Sequence, residues 1–582
     1  MAVLLAWLSW REAAPDPKVW QRLRDRAAER TRWAGTEHGG EGWRVYAAQG
    51  HPGESTPITT PRPDRIRLLD AFPADAAERV RLQQAPLSDL RSGPPLAGLE
   101  IHVSSAGQLD AVDLVRETMG RRTLVYAPLR RGWLVASGEQ ILLAHPELSQ
   151  DPDRDFLTAF LTLRSPAHEA SAFAAIRTLV AGEHLRLNEH EHHSQRLRLT
   201  PDWRWRTLSS DGIVAETGRL LDQATQRCLG EARSIGLSLS SGVDSVAVAA
   251  AVRRCRPESP HLQACTYGFD QWPDIDERDA AAGIARCLEW PWAGVAGDRL
   301  DSLSSQAPRP VCPDTPISSI YRELKEAVYD QFDRSGTEIW LSGAFGDHLC
   351  ASAADTLSDA LGHPRWNAVG PALWLSLKQP GKRLSRWRRL ASRMLARPPQ
   401  APGTTDLAPE RAAMRTLDAR WRAEHDEWLD FPRPKQALTA LNGYAMFAAS
   451  GENWFAQRHG MGTADPYRDP DLSRWLLSLP ADLHHLGGRS KALLRATLPV
   501  ALPESVRLGA KRSDLTPHLH AAAQRQRERW QSLALEGSRS AGEFIPVPKE
   551  LSAALAAPNP LDQRWLLPAY LLASYALWRR TT

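Results

Sequence analysis

The first 227 residues of this 582-residue chain contain no cysteine. The six cysteines are at positions 228, 255, 265, 287, 312 and 350, and none forms a Cys-x-x-Cys pair. A disulfide framework typically has an even number of closely spaced cysteines within a small secreted domain. The pattern therefore excludes such a framework and predicts reduced, mostly buried thiols in a cytoplasmic protein.

The chain also lacks a strong net charge and a long apolar run. Its formal charge of +4 is small for this length and gives no reason to expect nucleic acid as the main partner. The apolar opening, residues 1–8, is too short to span a membrane and has no preceding basic residue, so it predicts a first β-strand. With 42% hydrophobic and 24% charged residues, the chain is expected to form two or more globular domains without a transmembrane segment.

One stretch combines an apolar run, a loop of small residues and an alanine-rich segment. Residues 235–239 are followed by the small residues 240–242, and a second apolar run covers residues 246–252. This order predicts a strand, a tight loop and a helix. Backbone N–H groups at such a helix start hold an anion, most often a phosphate. Asp244 would lie beside that anion, which makes sense when Mg²⁺ lies between the two negative charges.

The loop resembles the pyrophosphate-binding loop Ser-Gly-Gly-x-Asp-Ser of ATP pyrophosphatases, which activate a carboxylate as an acyl-adenylate. Ser241 replaces the first glycine, and a small serine preserves the loop unless the position requires positive φ. The resemblance implies a set of ATP- and pyrophosphate-binding residues along three strand ends: Leu239, Ser240, Ser241, Gly242, Val243, Asp244, Ser245, Tyr267, Ser342 and Gly343.

From about residue 206 onward, strands and helices are predicted to alternate. Helices are expected at 213–229, 280–288 and 321–334, and strands at 262–269 and 338–341. Alternation of this kind predicts a parallel sheet that binds ligand at the carboxyl ends of its strands.

A second acidic loop follows the strand at 338–341. Residues 342–348 read Ser-Gly-Ala-Phe-Gly-Asp-His and resemble the Ser-Gly-x-Gly-x-Asp-Glu motif of asparagine synthetases. That resemblance implies that Asp347 and Asp244 together bind Mg²⁺. Ala344 occupies the place where the family carries a glutamate or tyrosine for its second half-reaction. His348 replaces the usual glutamate, and both a catalytic base and a packing role remain open for it.

The N-terminal part, residues 1–205, is similar to the glutaminase domain of asparagine synthetases. The resemblance rests on residues 123–126, 133–137 and 181–187 and on Trp203. That domain uses an N-terminal cysteine as its nucleophile. The sequence begins Met1-Ala2-Val3, so we expect a retained scaffold that does not release ammonia from glutamine. A hairpin is expected between 183–187 and 196–199, with the histidines near position 190 at its solvated tip and no bound metal.

Residues 351–440 depart most from the asparagine synthetase pattern. They contain a basic, tryptophan-rich segment, 382–397, with apolar residues at helical spacing. Such a segment is typical of a surface helix packed by its apolar stripe, while a membrane-, peptide- or partner-binding helix is the alternative.

Beyond residue 440 the family pattern returns in several segments: 458–461, 465–469, 476–480, 491–495 and 507–511. The segments 491–495 and 507–511, with Leu502-Pro503 between them, resemble a closing stretch that ends in a catalytic lysine. Lys511 is the matching residue here, although its spacing from Arg507 is wider than in the family pattern. A lysine facing the adenylate would stabilise the charged transition state.

Taken together, these resemblances identify the chain as a member of the asparagine synthetase-like superfamily. They imply an α+β, Ntn-type glutaminase-like sandwich over residues 1–205, followed by an α/β ATP-pyrophosphatase synthetase domain over 206–582 with an insertion at about 351–440. The implied catalytic residues are Lys511, Asp347 and His348, and the implied cofactors are ATP and Mg²⁺.

Within the superfamily, the absent N-terminal cysteine favours an AMP-forming ligase whose amine already belongs to the substrate. We expect a lasso peptide cyclase that joins an Asp or Glu side chain of a precursor peptide to its own N-terminal amine. A leader-binding protein and a leader protease are the expected partners. The alternatives are a β-lactam synthetase-like or ammonia-dependent amide ligase and an inactive scaffold.

Overall fold

Three β-sheets and a set of helices make up the described part of the fold. The computed structural model describes residues 2–49, 58–71, 76–93, 96–189, 191–258, 261–304, 311–317, 319–350, 407, 411–442, 444–509, 514–542, 545–557 and 561–581. Among these residues, no helix combines the length and the apolarity that are needed to cross a membrane.

The strands fall into an N-terminal group, β1 to β12, and a later group, β13 to β17. Their bounds are β1 Ala2–Leu8, β2 Gly35–Gly40, β3 Trp43–Gln49, β4 Ile58–Arg62, β5 Arg65–Ala71, β6 Leu96–Val103, β7 Leu109–Arg116, β8 Val125–Leu129, β9 Gly132–Ala136, β10 Arg177–Thr178, β11 Glu183–Leu187, β12 His192–Arg196, β13 Ser234–Ser238, β14 His261–Gly268, β15 Trp292–Ala296, β16 Ile339–Ser342 and β17 Gly462–Ala464.

The α-helices of the described residues become frequent after residue 205. Their bounds are α1 Pro17–Ala28, α2 Ala76–Gln84, α3 Glu139–Leu142, α4 Arg154–Leu161, α5 Ser210–Leu229, α6 Val243–Cys255, α7 Arg278–Cys287, α8 Arg322–Arg334, α9 Gly346–Leu349, α10 Arg411–Asp426, α11 Pro434–Asn442, α12 Tyr444–Arg458, α13 Pro470–Ser478, α14 Ala492–Ala496, α15 Glu504–Leu508, α16 Thr516–Arg525, α17 Arg527–Ala541, α18 Lys549–Ala556 and α19 Gln563–Arg579.

The N-terminal half is a sandwich of two six-stranded antiparallel sheets. Their strand orders are β10-β8-β9-β1-β3-β2 and β12-β11-β7-β6-β5-β4. Alternate residues of β1 pack on opposite sides, because side chains alternate along a strand. Leu4 and Ala6 face the core between the sheets, while Leu5 and Trp7 join an apolar cluster formed with helices. The apolar opening of the chain is thus the first β-strand, as predicted, and the structure places it in the interior of a sheet.

The second half is built on a parallel sheet of five strands in the order β15-β14-β13-β16-β17. The chain moves outward from β13 to β15 and then returns to place β16 against the other edge of β13. This reversal creates a topological switch point between β13 and β16, where ligands bind in open α/β sheets. The predicted order of an α+β sandwich followed by an α/β domain is therefore confirmed.

Two details of the sequence-based description change. The strand paired with β11 is β12, His192–Arg196, and begins earlier than predicted. His192 and His193 consequently lie in an exposed edge strand and not at a hairpin tip, and His190 lies outside the described residues. The segment 382–397 of the insertion also lies outside the described residues. The described part of the insertion includes α10 and most of α11.

Candidate active site

The first loop of the site connects β13 to α6 and is held in shape by its own serines. The Ser240 N–H donates to Ser245 Oγ at 3.1 Å, and the Gly242 N–H donates to Ser240 Oγ at 3.1 Å. Before the loop, the Leu239 carbonyl accepts a hydrogen bond of 2.7 Å from Thr266 Oγ1 of β14. Gly242 caps α6 in an extended conformation, so the helix begins at Val243 with Asp244 in its first turn. Unpaired N–H groups and the positive end of the helix dipole meet at such a helix start.

The carboxylate of Glu277, the residue just before α7, lies against this loop. Ser241 donates to Glu277 from its hydroxyl at 2.9 Å and from its backbone N–H at 3.3 Å. A glycine at position 241, as in the family motif, would lack the first of these two bonds. Tyr267, at the end of β14, is mostly buried, and burial raises the pKa of its phenol to about 12, with Glu277 contributing in the same direction.

The second loop leaves β16 and packs directly on the first. A Cβ on Gly343 would lie 2.4 Å from the Ser245 backbone nitrogen, and a Cβ on Gly346 would lie 2.7 Å from Cγ of Asp244. Phe345 has φ of +76°, in the left-handed region that favours glycine. It occupies the second glycine position of the Ser-Gly-x-Gly-x-Asp-Glu motif, a departure that the sequence comparison did not include. The glycine at position 346 instead allows the close approach to Asp244.

The two loops bring Asp244 and Asp347 around one ammonium group. Lys491 Nζ forms ion pairs with Asp244 Oδ2 and, at 2.7 Å, with Asp347 Oδ1. The side chain of Asp244 is 13% exposed and that of Asp347 is 81% exposed, so one carboxylate is enclosed and the other faces solvent. Burial raises the pKa of Asp244, and Lys491 opposes that effect. Burial lowers the pKa of Lys491, but the two carboxylates outweigh it and the net shift is upward.

The donor set around Asp244 fits a divalent cation. Among the residues that the structure describes, no hydrogen-bond partner reaches the buried Asp244 Oδ1. Two carboxylates within reach of one positive group are the hard oxygen donors that Mg²⁺ prefers. The Asp244 backbone is also anchored, since Tyr467 OH donates to its carbonyl at 3.2 Å. Asp244 and Asp347 are therefore the residues that would hold Mg²⁺.

Of the remaining predicted site residues, Ser342 and His348 lie at the second loop, whereas Lys511 is not among the described residues. Ser342 ends β16 and donates from its hydroxyl to Asp465 at 3.2 Å. The His348 ring packs 5.2 Å from the Phe345 ring, and burial together with Arg468 lowers the pKa of His348, so the imidazole is neutral near pH 7. Lys511 lies outside the described residues, and its catalytic role stays a prediction.

Lys491 and Glu277 contact the two loops, and the sequence alone did not assign either residue to the site. Lys491 lies in the segment 491–495, which resembles the family's closing stretch, but the resemblance implies no role for this lysine. It lies 247 residues from Asp244 along the chain, so spacing provides no signal for the contact. The hydroxyl bond to Glu277 exists only because a serine replaces the motif's glycine at position 241.

A family model described as asparagine synthase matches residues 216–571, which is more than half of the chain. The chain belongs to the asparagine synthase family. The matched range contains both loops and Lys491. A second model, the glutamine amidotransferase domain, matches residues 105–197 in the N-terminal sandwich. Membership of the asparagine synthase family supports an ATP-dependent, amide-forming ligase, and it confirms the predicted glutaminase-like and synthetase order of the fold.

Several solved structures also align with parts of this asparagine synthase family member. The U34-tRNA thiolase NcsA from Methanococcus maripaludis aligns at 11% identity over 43% of this chain and 85% of its own, with a TM-score of 0.21. The allosteric regulatory enzyme of purine biosynthesis aligns at 12% identity over 59% and 74%, with a TM-score of 0.22. The glutamine phosphoribosylpyrophosphate amidotransferase from B. subtilis, complexed with ADP and GMP, aligns at 12% identity over 60% and 77%, with a TM-score of 0.22. No curated protein sequence matches the chain.

Proposed function

We propose that this protein is a lasso peptide cyclase, an AMP-forming ligase that closes a macrolactam within one peptide. The observation that carries adenylation is the convergence of Asp244, Asp347 and Lys491 at the sheet's switch point. The choice of amine rests on the absence of cysteine from residues 1–227, which leaves the N-terminal sandwich without a glutaminase thiol. A substrate that carries its own amine removes the need for ammonia.

In the first half-reaction, a side-chain carboxylate of the peptide attacks the α-phosphorus of ATP. The bond from that phosphorus to the bridging oxygen breaks, and pyrophosphate leaves with the bonding electrons. The loop 240–245 binds the pyrophosphate through backbone N–H groups at the start of α6. Mg²⁺ held by Asp244 and Asp347 would screen the negative charge of the phosphates. Lys491 adds a second fixed positive charge at the same place.

In the second half-reaction, the peptide's N-terminal nitrogen attacks the acyl carbon. The carbon–oxygen bond to AMP breaks, an amide forms, and one proton leaves the nitrogen. Ala344 offers no titratable group at the position where the family uses a glutamate or tyrosine. His348 is neutral near pH 7, the form that can accept a proton, and packs on Phe345; its assignment as the base stays a prediction. Positioning of the two peptide ends then becomes the main contribution, and orientation of this kind lowers barriers by roughly 7–11 kcal/mol.

A free N-terminal amine on the peptide requires that a leader segment is removed first. A leader protease and a leader-binding protein are therefore the partners that this reaction would need. The peptide itself is the substrate.

Two blocked peptides separate the half-reactions. A leader-free core peptide should release pyrophosphate from ATP and lose one water by mass spectrometry. The same peptide with an acetylated N-terminus should still exchange labelled pyrophosphate into ATP without forming a ring. A peptide whose acceptor Asp or Glu is replaced by the amide should do neither.

The matching enzyme variants are Asp244→Asn and Asp222→Asn. Asp222 binds Arg254 on the surface, so its replacement tests for a general effect of removing a carboxylate. We expect Asp244→Asn to reduce pyrophosphate release by about 100-fold or more, since one charged group of the transition-state site is lost, and Asp222→Asn to leave it unchanged. Turnover with free aspartate and ammonium, and none with peptide, would replace the cyclase with an ammonia-dependent amide ligase.

A further inference from the structure

The N-terminal sandwich inserts one arginine deep into the synthetase half. Arg121 lies in the turn between β7 and β8 and is 1% exposed. Its backbone N–H donates to the buried Glu117 carboxylate, which fixes the turn. Its backbone carbonyl accepts a 3.1 Å hydrogen bond from Asn453 Nδ2 of α12, so main chain and side chain both cross the domain boundary.

The Arg121 guanidinium meets three synthetase side chains. Nη1 donates to Asn453 Oδ1 at 2.6 Å, and Nη2 donates to the Thr463 hydroxyl of β17. Nε forms an ion pair with Asp465 Oδ2 at 2.7 Å. Asn453, Thr463 and Asp465 are all buried, so the charge of Asp465 is neutralised mainly inside the protein.

Asp465 also contacts the second acidic loop. Its Oδ1 accepts the 3.2 Å hydrogen bond from Ser342 Oγ, and the same hydroxyl accepts a 3.2 Å hydrogen bond from the Ala344 N–H. Ser342 therefore links the end of β16 to the turn that leads into Asp347. Among the described residues, Asp465 without Arg121 keeps only the longer ion pair with Arg468, whose Nε lies 3.8 Å from Oδ2. A buried carboxylate that loses its closer cation in this way would protonate, rotate or draw in water. Rotation of the carboxylate or entry of water would release the Ser342 hydroxyl and loosen the loop, whereas protonation would only weaken its acceptor.

We propose that Arg121 is a positioning residue of the adenylation site, through which the glutaminase-like sandwich holds the loop 342–348 in place. The role of that loop in adenylation rests on the proposed function. The order imposed on the loop does not, because it follows from the contacts of Arg121, Asp465 and Ser342. The sandwich thus retains a role that needs no thiol nucleophile.

A second buried ion pair across the same boundary provides a matched control. Arg30, which follows α1, pairs with Asp314 of the synthetase half, and both are buried. Asp314 Oδ1 also accepts the Gln140 N–H at 2.9 Å. Neither partner of this pair contacts the loop 342–348 in the hydrogen bonds and ion pairs of the described residues. Arg30→Met should therefore weaken the domain boundary without loosening the loop.

Hydrogen–deuterium exchange resolved by mass spectrometry tests the loop directly. In Arg121→Met, we expect the amides of residues 342–349 to exchange about tenfold faster than in the parent protein, whereas Arg30→Met should leave them within about twofold. The double variant Arg121→Met with Asp465→Asn should recover most of the protection, because it removes the charge that Arg121 neutralises while keeping an acceptor for Ser342. Arg121→Lys and Asp465→Asn alone test the same contact with smaller changes if Arg121→Met does not fold.

The two proposals fail in different ways. Unchanged exchange at 342–349 in Arg121→Met, or equal acceleration in Arg30→Met, overturns the positioning role. Absence of pyrophosphate release by the parent protein overturns the proposed function and leaves the exchange result standing. When both hold, Arg121→Met should also raise the Mg²⁺ concentration for half-maximal pyrophosphate release by about tenfold, and Arg30→Met should not.

Discussion

Lys491 defines the charge of the site at the scale of single residues. Its ammonium bridges an enclosed and an exposed aspartate, and the net upward shift of its pKa keeps it protonated at neutral pH. A lysine in that state is a fixed positive charge and not a general base. In the proposed adenylation, its contribution would therefore be electrostatic, at the point where negative charge accumulates on the departing pyrophosphate.

We expect Lys491→Met to lower the rate of pyrophosphate release by about 100-fold or more, since a preorganised charge beside the phosphates is lost. Steady-state release with core peptide, ATP and Mg²⁺ measures this. Lys325→Met is the control, because Lys325 also binds a carboxylate, that of Glu452, but not either of the two aspartates. Equal rates for Lys491→Met and the parent enzyme would contradict the electrostatic role.

At the scale of elements, two adjacent parallel strands deliver the two loops to the same point. β13 and β16 pair in register through Ser238 and Ser342, so the loops that follow them start side by side. Their contact is backbone to backbone at Gly343 and Ser245. A side chain at position 343 would push the loops apart and separate the two aspartates.

Gly343→Ala should therefore remove most activity, because its Cβ would lie 2.4 Å from a backbone nitrogen that cannot move independently of α6. Gly283→Ala is the matched control, since a Cβ at this α7 position would meet no atom within 4 Å. We expect Gly283→Ala to keep activity and to stabilise α7 by about 0.5–1 kcal/mol. Pyrophosphate release and thermal unfolding of both variants check this pair, and an active Gly343→Ala would exclude the close contact.

The elements were largely predictable from sequence, and the contacts between them were not. Alternating patterns predicted β13, β14, β16 and their helices, and each acidic loop followed a predicted strand. The bridging position of Lys491 and the pairing of Arg121 with Asp465 join residues that are hundreds of positions apart. The left-handed backbone of Phe345 was not predictable either, because this chain has its glycine at position 346, one residue after the motif's second glycine position. Local pattern does not encode such contacts, which arise only when the elements pack.

At the scale of the whole molecule, the two halves share buried charge along their boundary. Beside the Arg30–Asp314 pair lies Glu139, and burial followed by the charge of Asp314 raises its pKa to about 8. In the unfolded chain the same group has a pKa near 4.5. The folded state therefore holds the Glu139 proton more tightly than the unfolded state does.

This difference predicts how stability varies with pH. The contribution of Glu139 is fully favourable below about pH 4.5 and is lost as the pH rises through about 8. The loss amounts to at most about 1.4 kcal/mol for each pH unit between these values. Glu139→Gln cannot ionise, so its melting temperature relative to the parent protein should increase from pH 5 to pH 8.

Glu29→Gln serves as the control for the pH series, because Glu29 is exposed and pairs with Arg26 on the surface. Its melting temperature should follow that of the parent protein at every pH. If Glu139→Gln also followed the parent protein, Glu139 would be ionised in the folded state at neutral pH.

The bond between Ser241 and Glu277 also links the effects of substitutions at the two positions. The Ser241 hydroxyl and the Ser241 backbone N–H both donate to the Glu277 carboxylate. Ser241→Gly alone would leave that carboxylate beside the loop without its hydroxyl donor. The effects of Ser241→Gly and Glu277→Gln should therefore be non-additive.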